Sequence, residues 1–141
     1  MDQSEAKSAY KLEDQIGFRL RLANQKHLEL FAEIMLDATP TQFAILARLF
    51  EDGPLSQNHL GRRVGMDGAT TKGVVDRLRS KGWVKSTASK TDLRRLEISL
   101  TPAGKGFTKD AIDRAQVVSE QTTKNLSTRE TERLLALLDK L

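Results

Sequence analysis

The hydrophobic period of this chain switches from helical to strand-like and back again between Leu55 and Gly104, and few folds accommodate that order in so short a run. Ser56 is placed to cap a short helix over 57–64, where Leu60 and Val64 stand at i and i+4 and Gly65 supplies the stop. The next helix starts at Asp67 or Gly68 and turns Val74, Val75 and Leu78 inward. Lys81-Gly82 ends it, with a cation in the last turn and a glycine just beyond. The period then falls to two. Trp83-Val84-Lys85-Ser86-Thr87 reads as one strand, and Arg95-Leu96-Glu97-Ile98-Ser99-Leu100 as a second with Leu96, Ile98 and Leu100 on one face. A lone hairpin is unstable in water, so it must lean on the helices. Two short helices followed by a supported hairpin make a winged helix-turn-helix.

Charge follows the same boundary. Between Leu55 and Arg95, ten Lys/Arg stand against three Asp/Glu, a net of +7, whereas the whole chain carries +4 and the remainder therefore −3. A basic module inside a mildly acidic chain is the electrostatic footprint of a protein that meets phosphate with one face.

The flanks are helical. Residues 1–10 are polar, without a signal-peptide apolar core, and are expected to fray. From Tyr10 to about Leu36, apolar positions recur at Ile16, Leu20, Ala23, His27, Leu30 and Ile34, a long amphipathic helix whose Phe18, Leu22 and Phe31 exceed the needs of one small core. Thr39-Pro40-Thr41-Gln42 opens another helix as a capping box with proline at its first position. Phe43, Leu46 and Phe50 are its expected inward face, and Gly53-Pro54 ends it. Thr101-Pro102 starts a helix running to about Lys124, and Ser127-Thr128-Arg129-Glu130 caps the last one. Leu134, Leu135, Leu137, Leu138 and Leu141 crowd that final helix, a density that suits a subunit interface. The fold class is mainly α: about six helices plus a two- to three-stranded β-wing. Residues 39–101 form the reading lobe, and 10–38 with 102–141 form dimerisation helices.

Absences narrow the chemistry. There is no cysteine, so thiol sensing, disulfides and Cys-ligated zinc are excluded, and two His are too few for a convincing metal site. No metal or cofactor is expected. No apolar run approaches membrane-spanning length, and the cytoplasm is the expected compartment. No phosphate loop, metal motif or nucleophile elbow points to an enzyme.

A recognition helix needs small and polar side chains at its N-terminal end to reach base edges in the major groove. Gly68-Ala69-Thr70-Thr71-Lys72 has that character, with Arg77 further along on a face not used by Val74 and Leu78. The alternative for this stretch is an ordinary capped helix with a solvated face. At the hairpin tip, Lys90, Arg94 and Arg95 project cations, and Asp92 is spaced to hold the turn so that Arg94 points outward toward a narrow minor groove. The bland reading of the tip is a charged turn that blocks edge-to-edge pairing. Ser56 at the preceding cap completes the candidate DNA contacts.

Taken together, Thr39-Pro40-Thr41-Gln42-Phe43 through Leu100-Thr101-Pro102-Ala103-Gly104 resembles the MarR family of bacterial transcriptional regulators. The likeness lies in the Asp-x-Arg of the wing (Asp92, Arg94) and the Leu-Thr-x-x-Gly ending at Gly104. Leu93 departs from it, since family members often carry another basic residue there. The stretch Met66–Leu78 is similar to that of repressors of nicotinate and related aromatic-acid degradation. The resemblance implies a homodimer joined by its terminal helices, holding two recognition helices roughly 34–36 Å apart on a pseudo-palindromic duplex. It also implies a repressor released by a small molecule, often an aromatic acid, bound between arm and lobe. For that ligand the candidates are Arg19 as carboxylate clamp, His27 as a titratable partner for a carboxylate, and Phe18, Leu22, Phe31 and Phe43 as ring contacts. The alternative is that Arg19 is a surface charge and His27 a satisfied core or interface residue. The alternative function is a winged helix used only for protein–protein contact.

Overall fold

The computed structural model describes residues 9–141. A single 3-10 turn (Leu12–Asp14) precedes six α-helices and a three-stranded antiparallel sheet. In chain order these are α1 (Ile16–Ile34), α2 (Pro40–Asp52), β1 (Leu55–Ser56), α3 (Gln57–Val64), α4 (Gly68–Ser80), β2 (Val84–Ala88), β3 (Leu96–Leu100), α5 (Pro102–Thr122) and α6 (Thr128–Asp139). This is the winged helix-turn-helix order, with β1 as the third strand. Apart from Ala9 and Tyr10, the segment expected to fray lies outside the described residues.

The caps form where the side chains allow them. Thr39 and Gln42 make a reciprocal capping box on α2, as do Ser127 and Glu130 on α6. The Ser56 and Thr101 hydroxyls accept from His59 N and Gly104 N. Gly65 and Gly82 follow α3 and α4 with φ of +71° and +79°, the left-handed region that glycine enters without strain. The first long helix is shorter than its apolar period suggests. Gln15, extended at φ −91° and ψ 138°, separates the 3-10 turn from α1, and Met35 leaves helical geometry at the other end.

Ile45, Leu46 and Leu49 of α2, Leu60 of α3, Val74, Val75 and Leu78 of α4, and Val84, Ile98 and Leu100 of the sheet form the core of the reading lobe. The inward face of α2 is thus rotated from the expected Phe43–Leu46–Phe50 stripe. The reason is that α2 has two neighbours: its 45/46/49 face meets the lobe, Phe43 turns to a second cluster with Phe31, Met35, Ala111 and Val118, and Phe50 is 44% exposed. In the sheet β3 is central, with Leu55 opposite Ile98, Val84 opposite Leu100 and Ala88 opposite Leu96. Leu96 shares the face of Ile98 and Leu100 but is 61% exposed, because it lies out along the hairpin beyond helical cover.

α1 packs along α5 to make an arm, with the second cluster between them. α6 differs: it buries no residue, and Leu134, Leu135, Leu137, Leu138 and Leu141 are all exposed. Among the described residues no helix is long and apolar enough to cross a membrane.

Candidate nucleic-acid interface

α4 is held open at its N-terminal end by Asp67. One carboxylate oxygen accepts from Thr70 N at 2.7 Å and the other from the Thr70 hydroxyl at 3.1 Å. These bonds, the backbone one foremost, hold the Asp67 carboxyl below its ordinary 3.8. Gly68, Ala69, Thr70 and Lys72 are exposed along this first stretch. Thr71 is not. It is fully buried, its hydroxyl donates to Asp67 O at 2.7 Å, and a side chain on Gly61 of α3 would meet its Oγ1 at 2.8 Å. Thr71 therefore fastens α4 to α3 and is withdrawn from the set of candidate base contacts. Its place three and four residues before Val74 and Val75, on the buried stripe, is the signal that sequence reasoning passed over.

Further along, Lys72 Nζ reaches Asp76 at 2.9 Å, and Arg79 donates to the same carboxylate at 2.8 Å and to Ser86 Oγ of β2 at 2.7 Å. Lys72 first and Arg79 second depress the Asp76 pKa. The network ties helix to wing and orients the Lys72 ammonium within it. Arg77, also exposed, has no ion-pair partner among the described residues. Ser56 is half-buried with its hydroxyl committed to the α3 cap, and its strand residue faces Glu97.

The wing tip is a hydrogen-bonded turn. Arg94 N donates to Asp92 Oδ1 at 3.0 Å, Arg95 N to Asp92 O at 3.0 Å, and Ser89 N to Arg95 O at 2.8 Å. Ser89, at the base of the tip, is a buried pivot whose hydroxyl accepts from Thr91 N and Asp92 N. Asp92 shapes the turn from the inside while the Arg94 side chain is 97% exposed and only loosely paired, 3.9 Å from that carboxylate. Lys90 and Arg95 are exposed beside it.

The candidate ligand residues do not form one cluster. Arg19, Leu22 and His27 line a groove of about 740 Å³ between α1 and the α5–α6 corner, together with Lys26, Thr122 and Leu126. Phe18, Phe31 and Phe43 stand outside it. Phe31 lies in the second core, 6.5 Å in ring centroids from His27 and 6.4 Å from Phe43, and Phe43 borders a different surface groove with Phe50 and Glu120. Phe18 carries the Arg21 guanidinium 5.5 Å over its ring. Helical period is the reason: positions 19, 22, 26 and 27 share one face of α1, whereas 31 turns into the core. His27 pairs with a hydroxyl, not a carboxylate. Thr122 spends its proton on Val118 O at 2.8 Å, so its oxygen accepts from His27 Nδ1 at 2.9 Å, which leaves Nε2 as the open ring nitrogen. Arg19 Nε is held by Glu13 O at 2.6 Å, fixing the guanidinium at the groove's edge. Lys26 and the α5–α6 corner were missed because nothing local in their sequence links them to α1. Among the described residues no three His, Asp or Glu side chains converge as metal ligands.

The profile of the MarR family matches residues 38–96. The HTH-type transcriptional repressor NicR of Pseudomonas putida is 32% identical over 94% of this chain and 85% of its own length. A probable transcriptional regulator from Pseudomonas aeruginosa superposes with a TM-score of 0.88 at 46% identity, covering 92% of this chain and 98% of that one. BpsR of Bordetella bronchiseptica, whose DNA binding is regulated by 6-hydroxynicotinic acid, also superposes at 0.88, with 27% identity over 93% and 95% of the two chains. With the wing, the capped reading helix and the terminal arm all in place, the chain belongs to the MarR family of transcriptional regulators.

Proposed function

We propose that this protein is a cytoplasmic repressor that binds a pseudo-palindromic duplex as a homodimer and leaves it when a small aromatic acid binds. The observation that carries the DNA reading is the pairing of an exposed, pre-capped N-terminal turn on α4 with a wing tip pinned by Asp92 that leaves Arg94 free. Gly68, Ala69, Thr70, Lys72 and Arg77 face the major groove in this reading, and Lys90, Arg94 and Arg95 flank the minor groove. The exposed leucines of α6, with Ile16 and Leu20 of α1, supply the apolar surface a second copy would cover. Two copies then set the half-site spacing of roughly 34–36 Å.

The effector reading rests on the α1 groove. Arg19 and Lys26 offer cationic donors, and the open Nε2 of His27 an acceptor for a ring hydroxyl, above Leu22, Leu30 and Leu126, a combination suited to a flat carboxylate. BpsR, whose DNA binding is regulated by 6-hydroxynicotinic acid, favours a pyridine carboxylic acid or a benzene analogue of it. A thermal-shift series of such acids, with every stabilising compound then assayed for release of bound DNA, tests it. Arg19→Ala should raise the acid concentration needed for release about tenfold or more. Release at unchanged concentration would remove Arg19 from the site.

A further inference from the structure

One cation of the basic block, though exposed, spends its ammonium on partners within the protein. Lys81, the C-cap of α4, sends Nζ to Asp37 O at 2.7 Å and to Gln42 Oε1 at 3.2 Å, and lies 4.7 Å over the ring of Trp83. Both acceptors belong to the corner between α1 and α2. Asp37 holds φ +68°, the only positive value among described non-glycine residues, and Gln42 is buried with its Oε1 also accepting from Thr39 N. Trp83, the chain's single tryptophan, stacks on Phe107 of α5 with centroids 3.9 Å apart and planes 16° off parallel. Phe107 packs against both the lobe core and the arm core. The backbone closes the same joint: Thr101 donates to Trp83 O and Gly82 O, and Gly104 has no side chain where a Cβ would overlap the Trp83 carbonyl.

The C-terminal end of the reading helix is thus fastened at two places, to α5 through Trp83 and to the corner that joins α1 to α2 through Lys81. We propose that Lys81 is a positioning residue for DNA reading: its ammonium sets the tilt of α4 against the arm and takes no part in phosphate contact. The inference rests on the DNA reading above. Leverage makes it consequential. A helix of this length is about 20 Å long, so a tilt of ~5° about its C-terminal end carries the N-terminal turn by nearly ~2 Å. That displacement is enough to break base contacts while leaving diffuse phosphate attraction intact.

The test compares wild type, Lys81→Met and Lys81→Arg on a duplex selected from a random-sequence library by the wild-type protein, and on an unselected duplex, across a salt series. Met keeps the stem over Trp83 and removes the ammonium. Lys81→Met should lose roughly tenfold in affinity for the selected duplex. Its salt slope and its affinity for the unselected duplex should not change, and Lys81→Arg should recover most of the loss. A slope reduced by about 0.9 per subunit, with both duplexes weakened alike, would make Lys81 a phosphate contact and overturn the proposal. A lower Tm with unchanged selected-duplex affinity would overturn it too, leaving only a structural role. Should Lys81→Met fail to fold, Lys81→Gln, neutral and too short to span to Asp37, carries the same expectation. Wild-type protein that binds no duplex in a salt-dependent way would fail the DNA reading itself, a separate outcome.

Discussion

The reading lobe and the terminal arm handle apolar side chains in opposite ways. The lobe spends its Ile, Leu and Val internally, with Ile45, Leu46, Leu60, Val75 and Leu78 fully shielded and the charged side chains left outside. The last helix of the arm does the reverse, exposing four leucines, with Leu141 a fifth just beyond its end, and burying none. A lobe completed from within can carry its surface as a reader, whereas α6 is completed only by something else. In the proposed function this difference separates specificity, assigned to the lobe's polar surface, from spacing, assigned to the arm's apolar one.

The sharpest way to break that contrast is to spoil α6 alone. Leu135→Asp combined with Leu138→Asp should halve the mass seen by sedimentation while the lobe stays folded by circular dichroism. Duplex affinity should then fall a hundredfold or more, since two linked readers gain roughly 10²–10⁴ over one. An unchanged mass would mean that α6 is not the dimer contact.

At the joint between the two regions, Gly104→Ala forces a methyl into the Trp83 carbonyl and should cost about 2–3 kcal/mol of stability in denaturant unfolding. Gly106→Ala, two residues on in the same helix with open space around it, should gain about 0.5–1 kcal/mol. Equal responses would contradict the close approach of α5 to the lobe.

On the reader side, Arg94→Ala should weaken duplex binding by about 1–3 kcal/mol without altering Tm or dimer mass, because its side chain touches almost nothing in the protein. The smallest effect concerns acid. Asp67 and Asp76 both titrate below the ordinary 3.8, so their stabilisation is complete above that value and fades as pH falls through their depressed ones. Asp67→Asn should therefore lower Tm modestly at neutral pH, and the gap to wild type should close as pH drops below about 4. A gap independent of pH would mean that the cap does not depend on the carboxylate's charge.

The lobe was the more legible region, and the reason is local chemistry. Caps, stops and the change of hydrophobic period report on neighbours a few residues apart, so Thr39-Gln42, Ser56, Gly65 and Lys81-Gly82 could be placed from their letters alone. What escaped depends on distant packing. Thr71 reads as a polar contact until α3 is known to press Gly61 against it. The aromatic cluster expected beside Arg19 and His27 splits because Phe31 turns into a core shared with α5, and the Lys81 joint spans elements some forty residues apart in sequence. Charge is similarly ambiguous from sequence: of the ten cations behind the block's +7, Lys72 and Arg79 answer Asp76, Arg63 answers Asp52 and Lys81 is tied to the α1–α2 corner, which leaves Arg62, Arg77, Lys85, Lys90, Arg94 and Arg95 as the outward set.

That outward set bears most directly on whether the lobe reads DNA at all. Titrating salt against wild-type binding to a selected duplex should give a log–log slope of roughly −4 or steeper, since each neutralised phosphate contributes about 0.9 and two subunits contribute together. A slope near zero would contradict DNA recognition by this face and favour a winged helix built for protein contact.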